Sequence, residues 1–442
     1  MLDLDQILQL LTPNETALEF LSRKQHKPLY TGIDPLDQCS FRGSTGVQPG
    51  DIIEIYGNSG CGASQLCLTA LLNCIMPLIP ASSSIIDHHK NTKSQKKKNR
   101  RRSKKNKNCE VEVEEEQDND DFEQVDEDEE YKSVFRTHDD SSSNQHTVLF
   151  FDMDFKFDEI QLVKMLEERI NVILMTQIQE KRTRMAMNHP ELNIEVDQVV
   201  SQEEYDQHFM TIFQNDENFS KFVHDTIARV KIVRPQSAFA FWTTIESLIS
   251  VEKERRASCF VNLSTSNATN TSSLSQVKSS SPYGCIIVDS LTCTFSHKFS
   301  SQKRDWERAC EALVRLTKLY ECPLFATVRE MFPRESRKAY RQEALAQSER
   351  TRRYLSDEQR ILEQMYIIHR EVMCHAWRNA IKYRLLIDTD ERTTHNDKFL
   401  AALCPIVSEH GSQQSRPIRP SKLYQFQIAS HGVVFDQEDY VS

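Results

Sequence analysis

Short apolar runs alternate with amphipathic stretches along most of the chain. Five runs have the length and composition of strands, at residues 51–56, 146–151, 228–233, 285–288 and 324–328. The run 285–288 has the pattern of a strand that is buried on both faces. Apolar residues at helical spacing follow four of the five runs, at residues 63–72, 158–170, 237–249 and 303–320. This alternation predicts an α/β fold in which a mostly parallel central sheet has helices on both faces.

Three further apolar runs occur near the C-terminus, at residues 384–387, 400–403 and 424–428. No helical pattern separates them, so consecutive strands there are expected to pair as hairpins. We therefore predict added C-terminal strands that make the sheet mixed.

A strongly charged span interrupts the alternation. Residues 90–107 hold 11 Lys/Arg and no acid, and residues 110–130 hold 14 Asp/Glu and no base. Such blocks bury too little apolar surface to offset the entropy of ordering, so residues 86–146 are predicted to be a disordered insertion. The basic run predicts a nuclear import signal or a nucleic-acid patch, and hence a nuclear protein. The alternative is a tolerated surface insertion without a role.

Three further spans look inserted. Residues 177–225 are polar and irregularly patterned, residues 262–281 are a Ser/Thr/Asn-rich low-complexity loop, and residues 331–370 form a basic loop region. The rest of residues 29–435 is predicted to be a single domain. Residues 1–28 are predicted to be a short helical segment, which either docks on a neighbouring subunit or caps the sheet of this chain.

Composition narrows the class of protein. The chain has 442 residues, a net charge of −10 and only 10 glycines, seven of which lie between Gly32 and Gly62. That concentration predicts unusual backbone in this window and excludes collagen-like and Gly/Ser-linker classes. The 12 cysteines include no C-x-x-C pair, which favours reduced thiols over a metal cluster. No apolar run has the length of a membrane helix, so no membrane partner is expected.

The last glycines of this window form a candidate phosphate-binding loop. Its residues are Gly57, Asn58, Ser59, Gly60, Cys61, Gly62, Ala63 and Ser64. They follow a predicted strand, open a predicted helix and have the spacing G-x-x-x-x-G-K-[ST]. Backbone N–H groups there would surround phosphates, and the Ser64 hydroxyl would bind Mg²⁺. Ala63 stands where the motif has lysine, and a Gly-rich turn without a ligand is the alternative.

Two acids end predicted strands. Asp289 follows the apolar run 285–288, and in phosphate-loop NTPases an acid at this position supports Mg²⁺. Asp154 follows the run 146–151 and is a candidate catalytic group that orients or deprotonates an attacking water. The alternatives are a sheet-edge acid for Asp289 and a helix N-terminal acid favoured by the dipole for Asp154.

The ordered set of motifs resembles the RecA-like recombinases. Residues 29–37, Leu-Tyr-Thr-Gly-Ile-Asp-Pro-Leu-Asp, are similar to the family lead-in T-G-[IC]-x-x-L-D, and the phosphate loop, Asp154 and Asp289 follow in the family order. The closest likeness is to the branch of eukaryotic recombinase paralogues represented by X-ray repair cross-complementing protein two. The similar stretches are residues 152–158, 324–327, 374–384 and 426–435.

The resemblance implies a RecA-like ATPase fold and a subunit of a recombinase-paralogue complex in homologous-recombination repair of double-strand breaks. It implies ATP and Mg²⁺ as cofactors, other RecA-like paralogues as partners, and single-stranded or branched DNA. Three departures predict weak or absent hydrolysis: Ala63 replaces lysine, Asp154 replaces glutamate, and Arg329 replaces a glutamine. The alternatives are an active DNA-stimulated ATPase of the same family, or an unrelated phosphate-loop enzyme.

The span after residues 324–328 is where the family places mobile DNA-binding loops. Basic and aromatic residues alternate there, as in sites that neutralise phosphates and stack on bases. The DNA-binding candidates are Arg329, Arg334, Arg337, Lys338, Arg341, Arg352 and Arg353. The alternative is a solvated helix with Glu/Arg pairs, since residues 354–368 have a partly helical pattern.

Overall fold

A computed structural model gives the structure of most of the predicted core. It describes residues 28–38, 40–41, 44–57, 60–76, 147–188, 200–213, 216–265, 282–292, 300–329, 356–368, 373–389, 398–408, 415–417, 420 and 422–436. The spans 1–27, 86–146 and 331–355 and most of 262–281 lie outside the described residues, so the predictions for them stay predictions.

The strands and helices follow the predicted alternation. The strands are β1 (Ser40–Phe41), β2 (Ser44–Thr45), β3 (Ile52–Gly57), β4 (Thr147–Asp152), β5 (Val230–Val233), β6 (Tyr283–Asp289), β7 (Leu324–Arg329), β8 (Tyr383–Thr389), β9 (Lys398–Ser408), β10 (Ser415–Pro417), β11 (Leu423–Ala429) and β12 (Gly432–Phe435). The helices are α1 (Asp34–Asp37), α2 (Ala63–Ile75), α3 (Glu159–Asn188), α4 (Gln202–Phe213), α5 (Asp216–Ile227), α6 (Ala238–Thr265), α7 (Ser300–Tyr320), α8 (Asp357–Ile368) and α9 (His375–Ala380).

One large sheet organises the chain. Its strand order is β12-β11-β9-β8-β3-β7-β6-β4-β5, and β10 pairs with β9. The strands from β8 to β5 are mutually parallel, whereas β9, β11 and β12 are antiparallel to their neighbours. The predicted α/β class, with a mostly parallel sheet and added C-terminal strands, is confirmed.

Both faces of the central strands are buried. Ile52 and Tyr56 of β3 belong to a cluster that includes Trp306 of α7 and Phe241 of α6. Ile53 and Ile55 alternate with them and are also buried, on the face that α2 covers. The charged Glu54 between them is buried as well, so β3 is buried along its whole length.

The described residues fall into two compact units. The first holds the sheet and contains those before residue 78, residues 147–165 and those from residue 226 onward. The second contains residues 166–188, 200–213 and 216–225. Among the described helices, none is long and apolar enough to cross a membrane.

The second unit has its own small aromatic cluster. The Phe213 ring lies 5.0 Å from Phe209, 5.1 Å from Phe219 and 5.7 Å from Phe222, measured between centroids. These rings pack α4 against α5, so much of the span 177–225 forms regular helices. The irregular hydrophobic pattern hid them because the apolar face of each helix is short and mostly aromatic.

Candidate functional site

The candidate residues meet where the parallel strands end. Gly57 is the last residue of β3, Asp289 of β6 and Arg329 of β7. Gly57 pairs in register with Arg329, and Asp152 at the end of β4 pairs with Asp289. The carboxyl ends of parallel strands are the usual place for ligands in α/β sheets. The topology therefore collects at one edge four residues that are far apart in the sequence.

The phosphate-loop candidate connects β3 to α2. Gly60 and Gly62 have φ of +84° and +87°, a region that other residues seldom adopt. A Cβ on Gly57 would overlap Cys61 Sγ, so a larger residue there would displace the loop. Asn58 and Ser59 lie outside the described residues. Ala63 begins α2, whose first-turn N–H groups have no carbonyl partners within the helix and are available to an anion.

Residues from the C-terminal strands support the start of α2. The Phe426 ring and the Ile428 side chain lie against Gly62, where a Cβ would be 3.3 Å from each. About two turns further along α2, the Val433 N–H donates to Thr69 Oγ1 over 3.0 Å. The added strands thus position the helix that begins at the loop.

Ser64 and Asp289 form the predicted metal-binding pair. The Ser64 hydroxyl donates to Asp289 Oδ1 over 3.0 Å, and the Thr327 hydroxyl donates to the same oxygen over 2.6 Å. The Ser290 N–H donates to Thr327 Oγ1 over 2.5 Å. Burial raises the pKa of the Asp289 carboxyl, and the hydrogen bonds from Thr327 and Ser64 oppose that rise.

Asp154 lies between two cations. Its Oδ2 is 2.9 Å from a guanidinium nitrogen of Arg329 and 2.8 Å from Lys156 Nζ. The Asp154 side chain is 10% exposed, against 29% for Arg329 and 63% for Lys156. Both cations lie on Oδ2, and neither carboxylate oxygen accepts a hydrogen bond from the residues that the structure describes. A water molecule that Asp154 activates would have to approach beside these two cations.

Asp152 orients the loop that carries Asp154, a role that the sequence did not reveal. Its carboxylate is fully buried and accepts the backbone N–H groups of Lys156 and Phe157 over 3.0 and 3.1 Å. Arg234 Nε donates to the same group over 3.1 Å. The loop needs this anchor because Phe155 has a φ of +58°, which is strained for a large side chain.

The geometry separates the candidates into three groups. The structure brings together Gly57, Gly60, Cys61, Gly62, Ala63 and Ser64 with Asp154, Asp289 and Arg329. It adds Asp152, Thr327 and Arg234. The only sequence signal for Asp152 was a second acid after the run 146–151, and no motif indicated Thr327 or Arg234. The DNA-binding candidates Arg334, Arg337, Lys338, Arg341, Arg352 and Arg353 lie outside the described residues.

Two features of the site suit a nucleotide with bound Mg²⁺, and a third feature does not. The hydroxyl and carboxylate oxygens of Ser64 and Asp289 are the ligand types that Mg²⁺ takes. Gly60, Gly62 and the first turn of α2 supply a cradle of backbone N–H groups. Ala63 lacks the ammonium group that normally reaches the β- and γ-phosphates. Within the described residues, no group of three or more His, Cys, Asp and Glu side chains forms another metal site.

The solved structures that are similar to this chain include one of a recombinase. It is the crystal structure of the RadB recombinase, at 12% sequence identity and a TM-score of 0.39, with 92% of this chain and 98% of that chain covered. Neither a scan against protein-family models nor a search of curated proteins found a match.

Proposed function

We propose that this chain is a RecA-like, nucleotide-binding subunit with little or no hydrolytic activity. The observation that carries the proposal is the Ser64–Asp289 pair beside a glycine-built phosphate cradle whose lysine is replaced by Ala63. Ser64 and Asp289 would hold Mg²⁺, and the loop N–H groups would hold the phosphates. Bound Mg²⁺ would neutralise phosphate charge.

Weak hydrolysis follows from what surrounds the cradle. Hydrolysis requires stabilisation of charge that develops on the phosphates, and the lysine of the loop normally contributes to it. Asp154, the candidate for activating water, is paired with Arg329 and Lys156. The backbone groups that would hold phosphates are therefore retained, whereas the loop lysine is missing and Asp154 is paired with cations.

The biological role rests on the ordered set of recombinase-like motifs. We place the chain in a complex of recombinase paralogues that assists homologous-recombination repair, within the branch represented by X-ray repair cross-complementing protein two. Other RecA-like paralogues would be its partners, and single-stranded or branched DNA would be bound through or alongside them. The basic run within 90–107 supports a nuclear location.

Binding and hydrolysis are tested separately on the purified chain, alone and with a co-expressed RecA-like paralogue. Equilibrium titration with a fluorescent ATP analogue in the presence of Mg²⁺ should give saturable binding. A Ser64→Ala/Asp289→Asn double variant should lose it. Phosphate release should be no faster for the wild type than for that double variant. Absence of binding in both preparations would overturn the nucleotide-binding proposal, and failure to co-purify with any paralogue would overturn the complex.

An active ATPase of the same family is the second candidate. The observation that favours it is the guanidinium of Arg329 at the carboxyl edge of the sheet, because a second cation there could replace the missing lysine. Phosphate release above the level of the Ser64→Ala/Asp289→Asn variant, and faster with single-stranded DNA, would establish this alternative.

A further inference from the structure

The phosphate loop contributes no cation to the candidate nucleotide site, because Ala63 stands where the motif has lysine. The cations at the strand ends are Arg329 and Lys156, which both contact Asp154, and Asp289 is a second carboxylate there. A triphosphate would add several negative charges to this edge, of which bound Mg²⁺ would offset only part. A positive side chain from outside the loop motif would therefore strengthen binding.

Arg329 is anchored beside the loop by the sheet itself. It pairs in register with Gly57, the first glycine of the loop, and adjacent strands lie about 4.8 Å apart. Its backbone N–H donates to Thr292 Oγ1 over 3.0 Å, which fixes the end of β7. The side chain thus starts from a rigid position next to the cradle.

The guanidinium extends into the site and not away from it. It contacts Asp154 Oδ2 at 2.9 Å while remaining 29% exposed. Its charge also reaches the loop: burial raises the pKa of the Cys61 thiol to about 11, and the Arg329 charge is one of the causes that oppose this rise. A planar guanidinium with several donors suits phosphate oxygens as well as it suits a carboxylate.

Lys156 is the other cation on Asp154 and a weaker candidate. Its side chain is 63% exposed, and an ammonium so placed keeps most of its hydration. It lies on the loop after β4, whose backbone is bound to Asp152, and that strand is separated from β3 by two others. Arg329 is the nearer cation, because β7 is adjacent to β3, the strand that leads into the cradle.

We propose that Arg329 supplies the phosphate-binding cation that Ala63 lacks. The inference rests on the proposed nucleotide binding and names the residue on which that binding depends. Without nucleotide, Asp154 neutralises the guanidinium. With nucleotide, the guanidinium exchanges the carboxylate for a phosphate oxygen, which keeps affinity modest because one ion pair is given up for another.

The test measures binding and not turnover. Mg·ATP and AMP are titrated against the wild type and the Arg329→Gln, Arg329→Lys, Lys156→Gln and Arg315→Gln variants. Loss of one charge-assisted contact should weaken Mg·ATP binding about tenfold or more in Arg329→Gln. Arg329→Lys should retain most of it, Lys156→Gln should lose less than Arg329→Gln, and AMP binding should change little. Arg315 lies in α7, pairs with Glu246 and serves as a matched control for lost charge.

A rescue variant tests whether Arg329→Gln loses binding because the charge is missing or because the fold is damaged. Ala63→Lys restores the motif lysine, so the double variant Ala63→Lys/Arg329→Gln should recover binding close to the wild-type level. Thermal unfolding checks that each variant is folded. If Arg329→Gln is unfolded, Arg329→Met, which removes the charge and keeps the aliphatic part of the side chain, replaces it in the single and the double variant.

The outcomes distinguish a failure of the proposal for Arg329 from a failure of the proposed nucleotide binding. A wild type that binds Mg·ATP with an Arg329→Gln variant that binds equally well would overturn the inference and leave the proposed function standing. Equal losses in Lys156→Gln and Arg329→Gln would also overturn it, because general charge would then be the cause. A wild type that binds no Mg·ATP would overturn both.

Discussion

Two arginine–carboxylate pairs in the parallel sheet differ in what surrounds them. Arg384 Nε donates to Glu54 Oε1 over 2.5 Å in the middle of β8 and β3, where the two side chains are 3% and 1% exposed. Arg329 and Asp154 meet at the strand ends and are 29% and 10% exposed. Glu54 also accepts the indole N–H of Trp377 over 2.8 Å, so its oxygens are used within the core.

The difference shows which pair belongs to the fold and which is free to change partners. A buried charge pair is costly to break because the remaining ion has no access to water. At the edge of the sheet solvent reaches the Arg329 guanidinium, and Asp154, although only 10% exposed, keeps Lys156 as a partner when Arg329 moves to another anion. Chemistry of the same kind thus gives a fixed support within the sheet and an exchangeable contact at its end.

The largest effect is expected from breaking the buried pair. Glu54→Gln should lower the free energy of unfolding by about 3–5 kcal/mol, since the Arg384 charge stays buried without its carboxylate. Chemical denaturation followed by circular dichroism measures the change. A Glu54→Gln/Arg384→Met variant, which removes both charges, should recover part of the loss. A decrease below about 1 kcal/mol for the single variant would contradict the distinction between the two pairs.

A smaller effect is expected at the strand ends. Asp154→Asn should change the free energy of unfolding by less than about 1 kcal/mol. It should strengthen Mg·ATP binding about two- to fivefold, because Arg329 no longer has to leave a carboxylate. The same titration in an Arg329→Gln background should show a smaller gain. Equal gains in the two backgrounds would mean that Asp154 repels the phosphates directly.

The smallest effect is expected from an exposed pair. Arg315 and Glu246 are in contact between α7 and α6, with side chains 54% and 34% exposed. Arg315→Gln should lower the free energy of unfolding by about 0.5 kcal/mol or less, and 1 M salt should abolish the difference. If Arg315→Gln lowered the free energy of unfolding as much as Glu54→Gln, burial would not explain the difference between these pairs.

Much of the fold was accessible from the sequence because the central strands are buried on both faces. Three of the five runs contain no Asp, Glu, Lys or Arg, and all five predicted parallel strands are present to within two residues at each end. Asp289 was also predictable, since an acid directly after such a run ends at the ligand edge of the sheet. These features depend on local sequence and on the rule that ligands bind at the carboxyl ends of parallel strands.

Other features depend on contacts that local sequence does not encode. Helix α6 continues from the predicted end at residue 249 to Thr265, where Arg255 and Arg256 both pair with the buried Glu252. Ion pairs at helical spacing replace the apolar stripe there, so a hydrophobic pattern stops too early. The contact of Arg329 with Asp154 joins residues 175 positions apart and follows from strand order alone. No local motif predicts it.

The support of Gly62 and Thr69 by the last strands has a consequence for biosynthesis. Thr69 and Val433, joined by one hydrogen bond, are separated by 364 residues. The loop and α2 therefore leave the ribosome long before β11 and β12 exist, and Phe426 reaches Gly62 only after β11 has been synthesised. A nascent chain that has not reached these strands carries the whole loop motif without the side chains that pack behind Gly62. The phosphate-loop candidate is therefore completed late in the synthesis of the chain.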